Sequence, residues 1–492
     1  MSPIRVLCLF LLGVSYIQEG FCSFPPRRSL TEYHEKFRET ASARFKKSHG
    51  YQRKKERRVF YPVKYGADPS GVKDSSDAIL RALNDAFQVQ SGLDLLPGVN
   101  DLGGVIIDLQ GGNYNISRPI RFPASGGANV VIQGGTLRAS STFPKDRHLM
   151  ELWSPNSKKT DKTKSIQLDN FSDMKAAQNV GIYYEDITFR DLLLDSNFQG
   201  GGIFIIDSAR IRIDNCFFTH FTTEGILVES GHETFISSSF LGQHVTIGGD
   251  KGERNFTGTA IDLASNDNAI TDVAIFSAAY GIVLRGRANI LTGVHCYNKA
   301  TFWGGVGIVV KLPGLSFTRI DNCYMDWTGI VMEDPVQVHI TNAFFLGDAN
   351  IVIKSIKGKI SGLNIVDNMF AGSGSLNPIV KLDGEFTDID QVVIDRNNVY
   401  QMALKSTVGK LMVTGNGTKW VSDFSSILLF PNRINHLQYS FFSQGHQPVF
   451  PTLAVTNVKN NVVTVESNKA ANGVVSVLVD QYNMVGELSS LN

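Results

Sequence analysis

Between residues 200 and 380 one short pattern returns again and again: a small residue, an isoleucine, then alternating apolar residues. It reads Gly202-Ile203-Phe204-Ile205, Gly225-Ile226-Leu227-Val228, Ala260-Ile261-Asp262-Leu263 and Gly281-Ile282-Val283-Leu284. It continues as Gly307-Ile308-Val309-Val310, Gly329-Ile330-Val331-Met332, Asn350-Ile351-Val352-Ile353 and Pro378-Ile379-Val380-Lys381, with Ile-to-Ile spacings of 23, 35, 21, 26, 22, 21 and 28. A second pattern interleaves with it, an apolar run leading to an aromatic: Ile213–Phe217, Ile236–Phe240, Val273–Phe276, Val294–Tyr297, Ile320–Tyr324, Ile340–Phe344, Ile365–Phe370 and Ile394–Tyr400. Asn215, Asn322, Asn342, Asn368 and Asn398 each sit two residues before the aromatic. Short period-two strands in units of this length, without helices, predict a parallel β-solenoid, because one coil cannot bury its inner face alone and stacked coils can. Two strands per coil are expected. The isoleucines and the aromatics should form two internal ladders, with the asparagines in the turns.

Open solenoid ends invite pairing with other chains and need covers. The turn-rich stretch from Tyr65 to Asp77 leads into an apolar face of Ile79, Leu80, Leu83 and Phe87, which predicts a capping helix with Asp74 or Ser75 at its N-cap. Gly104–Asp108 and Tyr114–Ile120 begin the coils, and the Lys/Asp-rich stretch 154–178 reads as a surface loop. Beyond about residue 405 the repeat fails, and Ser426–Phe430 and Val462–Val465 suggest a small β-rich appendage. The expected organisation is a solenoid over 59–404 and a C-terminal cap over 405–492.

Two short segments precede the solenoid. Arg5 and the apolar run Val6–Val14 are too short to span a bilayer and read as a signal peptide over 1–22, cut after Cys22. No later segment is apolar enough to cross a membrane, so export is expected. The sequons at Asn115, Asn170, Asn255 and Asn416 agree with that. Residues 23–58 hold twelve Lys/Arg and four Asp/Glu, a balance of +8, while the whole chain carries +1 and residues 1–22 are neutral, which leaves −7 for the remainder. A near-neutral whole argues against a nucleic-acid binder. The arm, too poor in apolar residues to build a core, is expected to be disordered or loosely helical, and serves either as a cationic tether or as a propeptide with basic processing points at 53–58. Cys216, Cys296 and Cys323 are too few for a disulfide framework and should occupy one ladder as buried thiols, with a Cys296–Cys323 bridge the alternative. No CxxC is present, so no zinc-thiolate site is expected.

The lead-in Tyr65-Gly-Ala-Asp-Pro-Ser-Gly, with Gly104-Val-Ile-Ile-Asp108 and Gly112-Asn-Tyr114, resembles the start of the pectin-lyase-like right-handed β-helix superfamily. The stretch Gly242–Thr259, with Ser265-Asn-Asp-Asn268 and Gly293-Val-His-Cys-Tyr-Asn298, is similar to plant polygalacturonases of the QUARTET, pollen-tetrad-separating type. The resemblance spans about 60–480. It implies an all-β right-handed parallel β-helix and a secreted, cofactor- and metal-independent hydrolase of α-1,4-linked galacturonan. Typical members carry Asn-Thr-Asp, Asp-Asp, Gly-His-Gly and Arg-Ile-Lys on successive coils. Here the matching places hold Gly200-Gly-Gly-Ile203, Thr222-Thr-Glu-Gly-Ile226, Gly258-Thr-Ala-Ile261 and Gly281-Ile-Val-Leu-Arg285, so Glu224 keeps one acid and Arg285 one cation.

Strand alternation locates a site independently. If each isoleucine points inward, the first and third residues after it point outward. That places Glu229, Asp262, Arg285 and Lys311 in one charged patch on four successive coils, with Glu224 at its rim. Inverting glycosidases need two carboxyls about 6.5–9.5 Å apart. Glu229 and Asp262 would stand roughly 8 Å apart by strand and sheet spacings, and Glu224 lies farther from Asp262. Glu224, Asp262 and Glu229 are therefore the candidate acids and bases, and Arg285 and Lys311 the candidate grips for galacturonate carboxylates. The patch adjoins the longest insertion, residues 242–258, which brings His244 and Asp250 as further candidate substrate contacts, and Asp267 follows in Asn266-Asp267-Asn268 as a turn or a contact. The expected partner is pectic homogalacturonan, met by a monomer in the cell wall. Two alternatives stay open: a Ca²⁺-dependent lyase using Arg285 or Lys311 as base, and a wall polysaccharide-binding protein without activity.

Overall fold

The structure, a computed structural model, describes residues 58–89, 93–153, 181–244, 256–297, 305–445 and 450–483. The leader, the basic arm up to Arg57, the stretch 154–178, Asp250, and the sequons at Asn170 and Asn255 lie outside these residues. The isoleucine repeat builds a right-handed parallel β-helix, and each coil carries three strands rather than two. In the first sheet Ile203, Ile226, Ile261, Ile282, Ile308, Ile330 and Ile351 lie in register one above another. Val380, not Ile379, continues this column. The second sheet stacks Ile213, Ile236, Ile270, Leu291, Ile320, Ile340, Ile365 and Ile394. Almost every member is fully buried. Each such side chain contributes about 1.5–3 kcal/mol on leaving water, and that repeated gain holds the coils together.

A third sheet carries the repeat aromatics, and it turns most of them outward while Phe370 stays internal as expected. A single left-handed residue turns the chain from the second sheet into the third: Asn215 (φ 50°), Ser238 (φ 49°), Asp272 (φ 52°), Asn322 (φ 53°) and Asn342 (φ 55°) on different coils. Asparagine tolerates this conformation, and its amide ties adjoining coils: Asn215 Nδ2 donates to Asp191 Oδ1 at 2.7 Å. Asn368 lies inside instead, where its amide donates to the Ile340 carbonyl, and Asn398 sits in a strand. After the turn, the inward column reads Phe218, Leu241, Ile275, Cys296, Met325, Phe345 and Phe370. The recurring aromatics one place earlier or later point outward and form an external ladder. Phe217 stacks on Phe240 at 4.4 Å, Phe240 meets Phe276 at 5.3 Å, and Phe276 leads to Tyr297 at 5.7 Å. The same turn splits the cysteines between two columns. Cys296 is level with Met325, whereas Cys216 and Cys323 sit just after the left-handed residue; all three are buried free thiols.

Helix α1, Ser76–Ala86, buries Ala78, Ile79, Ala82, Leu83 and Ala86 against the first coil. Asp74 accepts the Ser76 amide, and also takes the amide and hydroxyl of Ser117, which ties the helix start to that coil. The parallel coils end at Asn398–Tyr400. An antiparallel sheet follows, with Val462–Asp480 between Val408–Asp423 and His436–Ser443 and also pairing Leu453–Lys459. It has its own core around Trp420, Phe424, Val465 and Val477, while Leu429 and Phe430 enter the main core.

Candidate active site

The outward side of the first sheet carries the charged groups. At the edge where the third sheet turns into the first, one column holds His148, Gly201, Glu224 and Thr259 on successive coils. Gly201 has no Cβ, and an added one would collide with both the His148 ring and the Glu224 carbonyl. His148 therefore reaches across Gly201, and its Nε2 stands 3.4 Å from Glu224 Oε2. Phe204 stacks on the same imidazole at 5.7 Å. Both partners are shielded, with 8% and 14% of their side chains exposed.

One coil on, Asp262 faces outward beside Leu227 and Val283. Arg285 Nε donates to Asp262 Oδ1 at 2.7 Å, and the two side chains are 21% and 15% exposed. Arg285 Nη2 is buried with no hydrogen-bond partner among the described residues, so the guanidinium keeps donor capacity. Glu224 pairs in register with Thr259, and Asp262 lies three residues farther on. The Cα atoms are thus about 11 Å apart by strand and coil spacings.

Glu229, whose place third after the isoleucine predicts a solvent-facing side chain, is instead 5% exposed. The register with the next coil shifts between Glu229 and His232. Lys311 is exposed on the next coil but one after Asp262. Asp267 is exposed at a left-handed turn (φ 58°) with its amide on the Arg287 carbonyl. Beside it, Asn268 is buried and bonds Asn289, which makes this stretch a structural corner. His244 is buried rather than exposed and lies 5.6 Å from the ring of Phe198. Gln243 clasps the base of the insertion, accepting the Thr257 amide at 2.6 Å and donating to the Thr257 hydroxyl. Of the sequons, Asn416 is exposed and Asn115 half-buried in the first coils.

Three groups escaped the sequence reading. His148 could be found only through the column it shares with Glu224. Glu151, one column in, is buried and clamped by Arg121 and Arg147; Arg147 Nε donates to it at 2.8 Å, and that bond raises the Arg147 pKa. Asp195 accepts from His220 Nδ1 at 2.8 Å at the corner that leads to Glu224. Burial pushes the Asp195 carboxyl up, but its bonds to His220 and the Asn197 amide, with the nearby Arg138, outweigh burial and hold it below the usual range. Among the described residues no three His, Cys, Asp or Glu side chains are placed to share a metal ion.

No family model matches the chain. Polygalacturonase QRT3 of Arabidopsis thaliana is 53% identical over 428 residues, covering 86% of this chain and 84% of that protein. Among solved structures, the ORF18 protein of Geobacillus virus E2 superposes with a TM-score of 0.52 at 11% identity, over 95% of this chain and 84% of that one. The A-module of mannuronan C-5 epimerase AlgE4 from Azotobacter vinelandii gives a TM-score of 0.46 at 13% identity, over 70% and 96%. The viral protein speaks for the fold alone, whereas identity of 53% over most of both chains decides kinship: this chain belongs to the polygalacturonase family that includes QRT3.

Proposed function

We propose that this protein is a secreted hydrolase that cleaves α-1,4-linked galacturonan in the plant cell wall by acid/base inversion. The observation that carries the reading is the pair of shielded carboxylates on adjoining coils, Glu224 beside His148 and Asp262 beside Arg285. Asp262, held by a guanidinium, suits the ionised base that activates water. Glu224, shielded and set against the His148 imidazole rather than a guanidinium, suits the acid that protonates the leaving oxygen. The donor capacity left on Arg285 suits a galacturonate carboxylate, and Lys311 adds positive charge farther along the face. Family membership supports the substrate. The leader and the sequons support export.

The test is the release of reducing ends from de-esterified polygalacturonan by the purified chain, with and without a chelator. Activity that survives the chelator and disappears in Glu224→Gln supports the reading. An unsaturated product that the chelator abolishes supports a lyase instead.

A further inference from the structure

The corner before Glu224 holds an arrangement that folding alone does not call for. Asn197 and Phe198 are consecutive left-handed residues, with φ of 48° and 58°. A bulky aromatic in that region is strained where a glycine would not be. The Phe198 side chain does not recover this by burial, since the residue is 40% exposed. Its ring lies 4.6 Å from the imidazole of His220 and 5.6 Å from that of His244. His220 is held in turn: Asp195, 8% exposed, takes its Nδ1 at 2.8 Å, the Asn197 amide at 2.9 Å, and a contact from Arg138 Nε at 3.3 Å. A carboxylate on Nδ1 fixes the proton there and leaves Nε2 as the nitrogen for a ligand. No described residue bonds that nitrogen, and the side chain is 27% exposed. His220 and Glu224 are four positions apart in the chain, so the two backbones lie within about 14 Å.

We propose that Phe198 and His220 form a sugar subsite beside the carboxylates, taking a neighbouring galacturonate unit of the same chain. The Phe198 ring offers an apolar platform to the CH face of the pyranose. His220 Nε2 accepts from a sugar hydroxyl when neutral and donates to the uronate carboxylate when protonated. Asp195 is a positioning residue that orients the imidazole. The proposal rests on the galacturonan reading given above.

Phe198→Gly separates a ligand role from a structural one, because glycine relieves the left-handed strain. The full chain is assayed on de-esterified polygalacturonan and run in native gels containing polygalacturonate. Phe198→Gly should melt no lower than the parent, raise KM about tenfold and lose most of its retardation in the gel. Phe198→Tyr should restore both. Asp195→Asn should raise KM while leaving kcat near that of the parent, the split that a positioning role for the carboxylate predicts. A parent-like KM and parent-like retardation in Phe198→Gly overturn the subsite and leave the hydrolase reading standing. Retardation that depends on Phe198 without any hydrolysis by the parent leaves the subsite standing and overturns the hydrolase reading. A parent that neither hydrolyses nor is retarded overturns both.

Discussion

Glu224 and Asp262 differ in what holds them, and that difference sets what each substitution should do. Glu224→Gln keeps shape and removes the titrating proton, so kcat should fall about 10²–10⁴-fold with little change in melting temperature. Asp262→Asn should lose activity similarly and also weaken its contact with Arg285, so a small loss of stability should accompany it. Parent-like turnover in both variants would move the chemistry off this face. Arg285→Ala and Lys311→Ala should part company. Arg285 touches Asp262, so its removal should lower kcat as well as raise KM. Lys311 is exposed one coil farther on, so its removal should raise KM alone, more on de-esterified than on methyl-esterified substrate, and less at high salt. An equal KM rise on both substrates would contradict carboxylate recognition. At this scale strand period placed Asp262 on the outer face beside Arg285, while it misjudged Glu229, and Glu224 came from the place it shares with the family motif. It could not disclose His148 or Asp195, whose partners lie on other coils and meet them only through stacking.

Each element answers to its own local chemistry. The isoleucine column was legible because a small residue before the isoleucine marks the strand entry on most coils, and it slipped by one place at Pro378-Ile379, where Val380 takes the position. The aromatic ladder was legible as a repeat but not in its direction. Alternation says that two faces exist, and the single left-handed residue of the preceding turn decides which face is inside. Because those rings are external, Phe240→Ala should cost roughly 1–3 kcal/mol through lost stacking on Phe217 and Phe276, with turnover per folded molecule retained. A loss well above that range in urea melts would mean that the ring is part of the core after all. The N-terminal cap makes a prediction about acid. Bonds from the Ser70 hydroxyl and from the Lys73, Ser70 and Val72 amides hold the Asp68 carboxyl at about 2, below its ordinary 3.8. At Asp74, burial pushes the carboxyl up, but bonds from Ser76 and Ser117 outweigh it and leave it low. Folded values below the unfolded ones mean that the unfolded chain binds more protons as pH falls. The stabilisation is therefore complete above the unfolded pKa of about 3.9 and fades as pH drops toward about 2. Asp68→Asn should lower the melting temperature at neutral pH and flatten its fall between about pH 4 and 2. A parent-like slope would show that this carboxyl does not couple to folding.

The whole molecule joins an acidic body to a basic arm, residues 23–58 at +8 against −7 for the rest. A cationic segment attracts a polyanion without selectivity and loses that attraction in salt. Deleting 23–58 should leave turnover on short soluble oligomers unchanged and weaken retention on pectin at low salt. Unchanged retention, or an arm missing from protein recovered from the wall, would favour processing over tethering. The described residues contain no helix long and apolar enough to cross a membrane. If Glu224 and Asp262 invert the galacturonan linkage as proposed, the configuration of the first product shows it. With the anomeric protons followed by NMR during cleavage of de-esterified polygalacturonan in the presence of chelator, a β-configured reducing end should appear first from the α-linked substrate, with no unsaturated product. A product that starts in the α configuration, or an unsaturated end that vanishes with chelator, would contradict it.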